Sequence, residues 1–118
     1  MQPDLLIGKK FCIPVFMAQH QEYICNNVEV EYPGNGKTYK ISFSEIVEHG
    51  YNVPDKLELV IGIPLKYPDD ISLRLYEIKD GGREYELYRL ELKTKQINSI
   101  KGFSNALIEM GNRQSKSV

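Results

Sequence analysis

KLELVIGIPLKYPDDISLRLYEIKDGGREYELYRLELK, residues 56–93, is the stretch whose reading decides the fold. Leu57, Leu59, Ile61 and Ile63 fall on one parity, with Glu58 between the first two. Ile71, Leu73 and Leu75 repeat the pattern, with Ser72 and Arg74 on the opposite side. Successive strand side chains point to opposite faces, so each segment can seal one face of a sheet. In the third segment Tyr85 and Leu87 share one parity, while Tyr88, Leu90 and Leu92 take the other. A bulge near Leu87 or Tyr88 would absorb that slip. Without a bulge, Tyr85 and Leu87 would instead cover a flank.

The punctuation between these segments agrees with three strands. Asp80-Gly81-Gly82 reaches positive backbone angles at little cost and predicts an antiparallel connection. Pro64 and Pro68 remove amide donors and restrict the residues before them. They end one strand before Ile71 opens the next.

Toward the N-terminus the same period recurs. Tyr39, Ile41 and Phe43 alternate with Thr38, Lys40 and Ser42, after the turn Pro33-Gly34-Asn35-Gly36. Ile24, Val28, Val30 and Tyr32 share a parity before it, with Asn26-Asn27 as a break or bulge. These two segments predict a hairpin. Phe11, Ile13, Val15 and Met17 form an earlier strand, and Pro14 marks it as an edge strand or one that starts late. Cys12 and Phe16 point the other way, Phe16 as core if both faces are covered and as a contact residue if not.

Two helices are expected. Ser42 and Glu45 have the spacing of a capping box, Ile41 and Ile46 that of a hydrophobic staple, and Gly50 that of a stop. This predicts a short middle helix of one or two turns. Ile97, Ile100, Phe103, Leu107 and Met110 recur at three and four residues, the period of an amphipathic helix. Gly102 lies inside it and Gly111 ends it. The expected architecture is a single α+β domain over residues 1–111, with a short flexible tail over 112–118. Five or six mainly antiparallel strands carry the C-terminal helix over one face, and a partly open barrel is the alternative.

Size and charge narrow the function classes. A chain of 118 residues with a formal charge of -1 fits one domain. No apolar run is long enough for a membrane helix. Met1-Gln2-Pro3-Asp4 lacks the basic and apolar regions of a secretion signal, so a cytoplasmic location and reduced Cys12 and Cys25 are expected. Residues 45–92 hold eleven acids against six bases, whereas residues 93–118 carry Lys93, Lys95, Lys101, Arg113 and Lys116 against Glu109. Ordinary solubility and attraction to an oppositely charged partner both account for this asymmetry.

Compact catalytic motifs are missing from the sequence. His20 and His49 are the available bases, but Glu48 is adjacent to His49 and does not face it on a helix. Cys12, His20, Cys25 and His49 have the residue types of a zinc site without a short ligand pair. Asp69-Asp70 falls in a turn, and neither Gly34-Asn35-Gly36-Lys37 nor Asp80-Gly81-Gly82-Arg83 completes a phosphate loop. No metal or cofactor is expected.

The aromatic residues carry more. Tyr76, Tyr85 and Tyr88 lie among Arg74, Arg83 and Arg89, a combination that suits protein interfaces as well as the margins of a small core. The expectation is a non-enzymatic protein-binding or regulatory module, adaptor or inhibitor, with Arg74, Tyr76, Tyr88 and Arg89 as contact residues. The alternative is a single-stranded nucleic-acid binder that stacks bases on Tyr85 or Tyr88 beside Lys93, Lys95, Lys101 and Arg113. An enzyme ranks below both. A homo-oligomer is compatible with either reading.

Overall fold

The computed structural model describes residues 3–15, 20–46, 54–93 and 101–108. After a single 3-10 turn at Pro3–Leu6 come six strands: β1 Lys10–Pro14, β2 His20–Glu31, β3 Gly36–Glu45, β4 Lys56–Pro64, β5 Asp70–Lys79 and β6 Gly82–Lys93. Each strand pairs antiparallel with its neighbour in sequence, giving one sheet of order β1-β2-β3-β4-β5-β6. The sheet curls into a half-barrel, and helix α1, residues 101–108, covers its concave face.

The concave face is where the apolar parities meet. Tyr39, Ile41 and Phe43 of β3 oppose Ile61, Leu59 and Leu57 of β4. Leu59 and Ile61 in turn oppose Leu75 and Leu73 of β5. All of these side chains are buried. Phe103, Ala106 and Leu107 of α1 are buried against them. The Phe11 ring sits edge-on to Phe43, with centroids 5.7 Å apart, and to Phe103 at 5.3 Å. Such edge-to-face contacts add to the area that each ring buries. They fasten the helix to the first strand and the first strand to the third.

Turn chemistry fixes the registers. Asp80 and Gly81 both have positive φ, at 54° and 79°, between the paired residues Lys79 and Gly82. A two-residue loop of this kind matches the twist of the strands it joins. At the β2–β3 connection the Gly36 amide donates to the Pro33 carbonyl at 3.0 Å. A Cβ on Gly36 would collide with the Ile63 carbonyl oxygen, so only glycine fits there. Pro14 lies on β1, an edge strand, where a missing donor costs no ladder bond on the open side.

Bulges explain where the simple alternation fails. In β2, Cys25 opposes Phe43 while Asn27 opposes Ser42, leaving Asn26 as the extra residue. Asn26 donates to the Ser44 hydroxyl. The expected inward parity of β2 is therefore corrected in its first half: Tyr23 and Cys25 face the core ahead of the bulge, and Val28 packs there after it. In β6, Tyr88 opposes Leu75 and Glu86 opposes Tyr76, so Leu87 is the extra residue at the place where the sequence pattern slips. A second bulge at Glu84 lies between Tyr85, opposite Glu77, and Arg83, opposite Ile78.

The middle helix does not start at Ser42. Residues 42–45 continue β3, with Ser42 held between Asn27 and Glu58. Pairing on both sides satisfies the backbone groups that a helix cap would have served. Residues 47–50 lie outside the described residues, as do Phe16, Met17 and the proposed tail at 112–118. Of the expected helix over 97–110, residues 101–108 are described and helical.

Candidate functional site

Residues of β4, β5 and β6 that point away from the core form a polar outer face. Two register rows build it. Glu58 opposes Tyr76, which opposes Glu86; Val60 opposes Arg74, which opposes Arg89. The hairpin turn brings Arg83 opposite Ile78, one pleat from Tyr76. Three of the four expected contact residues, Arg74, Tyr76 and Arg89, thus come together.

Tyr76 is the centre of this face. The Arg83 guanidinium lies 4.6 Å from its ring centroid, within cation–π range. The Arg83 Nε also donates to Glu58 Oε1 at 2.7 Å, which fixes the stack from the side. Glu86 Oε1 accepts from Arg89 Nε at 3.2 Å and Nη2 at 2.9 Å. The Arg74 Nε stands 4.0 Å from the same carboxylate oxygen, too far for a hydrogen bond. The Glu86 contact raises the Arg89 pKa above its ordinary value. Arg89 and Arg83 are therefore held in place, and Arg74 keeps most of its donors available.

Tyr88 is corrected. It is 8 % exposed and lies with Leu90 on the concave side, opposite Leu75. The Leu87 bulge returns the strand to inward parity at Tyr88, so its ring joins the core while Arg89 faces out. Burial also pushes its phenol pKa up.

The alternative nucleic-acid set is dispersed. Tyr85 is 61 % exposed at one end of β6, and Lys93 ends the strand at the other, opposite Asp70. Eight residues of strand separate them by about 25 Å. Lys101 is exposed on α1, and Lys95 and Arg113 lie outside the described residues.

Sequence reasoning missed a second exposed patch. Tyr32, Leu65 and Tyr67 are 74 %, 73 % and 64 % exposed. They flank the β2–β3 and β4–β5 turns, which are tied by a 2.9 Å hydrogen bond from the Leu65 amide to the Asn35 carbonyl. Between these turns is a shallow cleft of about 160 Å³, lined by Pro33, Lys37, Thr38, Gly62, Pro64 and Ser72 among others. The Lys37 ammonium lies 5.8 Å from the Tyr32 ring centroid and 5.0 Å from that of Tyr39. The available signal was the repeated Tyr-Pro at Tyr32-Pro33 and Tyr67-Pro68, which puts a large ring beside a turn twice.

Among the described residues no group of three His, Cys, Asp or Glu side chains could hold a metal ion. Cys12 is exposed and Cys25 buried, and both are free thiols. Burial pushes the Cys25 thiol pKa up. His20 opens β2 opposite Pro14, and His49 lies outside the described residues. No described helix is long and apolar enough to cross a membrane. What the described surface offers is exposed aromatic, apolar and charged residues suited to a non-catalytic interaction surface. No family model, no curated protein sequence and no solved structure matches this chain.

Proposed function

We propose that this chain is a non-enzymatic protein-binding or regulatory module, an adaptor or inhibitor of the cytoplasm, that engages its partner through the outer face of β4–β6. The observation that carries this reading is the Arg83–Tyr76 stack braced by Glu58, with Arg74 and Arg89 beside it on Glu86. Tyrosine and arginine supply much of the binding energy at interfaces, and side chains already held in position lose less entropy on binding. Three guanidiniums alternate here with two carboxylates. Such a face complements a protein surface carrying both signs of charge. It offers a polyanion less, because Glu58 and Glu86 already answer Arg83 and Arg89.

The test is affinity capture from native extract with the wild-type chain and with Arg74→Glu and Tyr76→Ala side by side. A stoichiometric protein held by the wild type and lost by both variants supports the reading. Turnover by the purified protein, with no protein captured, overturns it. The nucleic-acid alternative rests on the exposure of Tyr85 and Lys101. Titration of labelled single-stranded DNA and RNA addresses it: saturable binding that weakens with salt and is lost in a Lys93/Lys95/Lys101 charge-removal variant would put that reading first.

A further inference from the structure

Strand β6 is an edge. Among the described residues it pairs with β5 alone, and it is 12 residues long. Long unpaired edges are templates for another strand unless something blunts them. The two halves of β6 differ in this respect. Bulges at Glu84 and Leu87 break the regular pleat over residues 82–87. Residues 88–93 run without interruption opposite 70–75 of β5. Over that half Tyr88 and Leu90 are buried on the concave side, and Arg89 and Glu91 are exposed between and beyond them.

We propose that two copies of this chain pair antiparallel through residues 88–92 of β6, about a two-fold axis at Leu90. Directly opposed residues in an antiparallel pair share a face, so a symmetric register must be centred on a residue and not between two. Centring on Leu90 sets Arg89 of each copy opposite Glu91 of the other. It also keeps the bulge at Leu87 at the margin of the ladder. Centring on Arg89 would oppose two arginines, and centring on Glu91 two glutamates. Like charges directly opposite destabilise a strand pair, while opposite charges support it. Centring on Tyr88 would put the bulged Leu87 against Arg89. Centring on Leu92 would oppose Glu91 and Lys93 but keep only residues 91–93 of the strand in the ladder, so the Leu90 register is the regular, charge-complementary one that pairs the longest stretch. It joins the two half-barrels through a single twelve-stranded sheet. Tyr88 and Leu90 are already buried at this edge, so backbone bonds and the two ion pairs supply most of the association. The dimer is accordingly weak and concentration-dependent. This inference rests on the β6 edge; it shares Arg89, held on Glu86, with the outer-face reading, whereas Glu91 belongs to the edge alone.

Sedimentation equilibrium of the purified chain, up to millimolar concentration, tests it. The wild type should dimerise. Arg89→Glu and Glu91→Arg should each weaken the dimer about tenfold, since each reversal creates like-charge contacts at both symmetric positions. The Arg89→Glu/Glu91→Arg double variant should restore it. Both sites are exposed, and circular dichroism of each variant checks the fold. As a second readout, amide hydrogen exchange over residues 88–92 should slow as concentration rises. A chain that stays monomeric throughout overturns the proposal. So does a dimer indifferent to the single reversals, or one the double swap fails to restore.

Discussion

Tyr23 and Pro54 are joined by a 2.6 Å hydrogen bond from the buried phenol to the Pro54 carbonyl oxygen. The bond ties the second strand to the approach to the fourth, across the third. Tyr23→Phe leaves that carbonyl without its partner and should destabilise the fold by about 1–2 kcal/mol. Urea denaturation of the two proteins, compared at equal slope, measures the difference.

The same phenol predicts an alkaline limit. Burial raises the Tyr23 pKa, and the carboxylates of Glu45, Asp55 and Glu77 raise it further. The unfolded chain loses this proton near the ordinary tyrosine value of about 10, whereas the folded chain holds it to higher pH. Above that value the folded state binds more protons, so stability falls as pH rises. Below it, this contribution is fully present. Thermal melts from neutral to strongly alkaline pH should show a fall that is shallower in Tyr23→Phe.

Gly36 and Gly34 lie in one turn but should differ in their response to alanine. A Cβ at Gly36 meets the Ile63 carbonyl oxygen, whereas one at Gly34 meets nothing within 4 Å. Gly36→Ala should cost about 1–3 kcal/mol through forced displacement of β3 from β4. Gly34→Ala should stay within about 0.5 kcal/mol of wild type. Equal denaturation midpoints for the two variants would contradict this account of the turn.

Phe103 is buried against Phe11 and seals the concave face. Phe103→Ala should cost about 3–5 kcal/mol, the range for deleting a buried ring. Exchange protection should drop first in β1 and β3, whose rings meet it or its neighbour Phe11.

Tyr76 should separate binding from folding. Tyr76→Ala removes the platform under Arg83 and should weaken capture of the protein partner by at least about tenfold, in the manner of an interface hot spot. Its stability cost should stay near 1 kcal/mol, because the ring is half-buried on the outer face. Calorimetry and a binding titration on the same sample distinguish the two effects.

The sequence made the sheet legible where one face is sealed and the other is polar. Leu57, Leu59 and Ile61, like Ile71, Leu73 and Leu75, face the core as their parity requires. The Leu87 bulge was legible because the apolar parity visibly jumps there. The Glu84 bulge was not, since Arg83, Glu84 and Glu86 are all charged and no phase change shows. At Ser42, a local capping signal lost to pairing with strands on both sides. Tyr88 has the residue type of an interface, although its shared parity with Leu90 already assigns it to the core. Arg74, Tyr76 and Arg89 follow from strand phase, but their carboxylate partners depend on register. The Tyr32, Leu65 and Tyr67 patch was hidden for a related reason. Its members are far apart in sequence, and only the β3–β4 pairing brings their turns together.

The strand order has a kinetic consequence. Every strand pairs with its immediate predecessor, so the sheet can grow hairpin by hairpin with little loop-closure entropy at each step. The contact between Phe103 and Phe11 is different, because it joins the two ends of the chain. During synthesis the concave apolar surface therefore stays uncovered until α1 emerges, which makes that interval the period of greatest aggregation risk. If docking of α1 follows the rate-limiting step, Phe103→Ala will speed unfolding and leave the refolding rate nearly unchanged. A slowed refolding arm would place the helix in the nucleus instead.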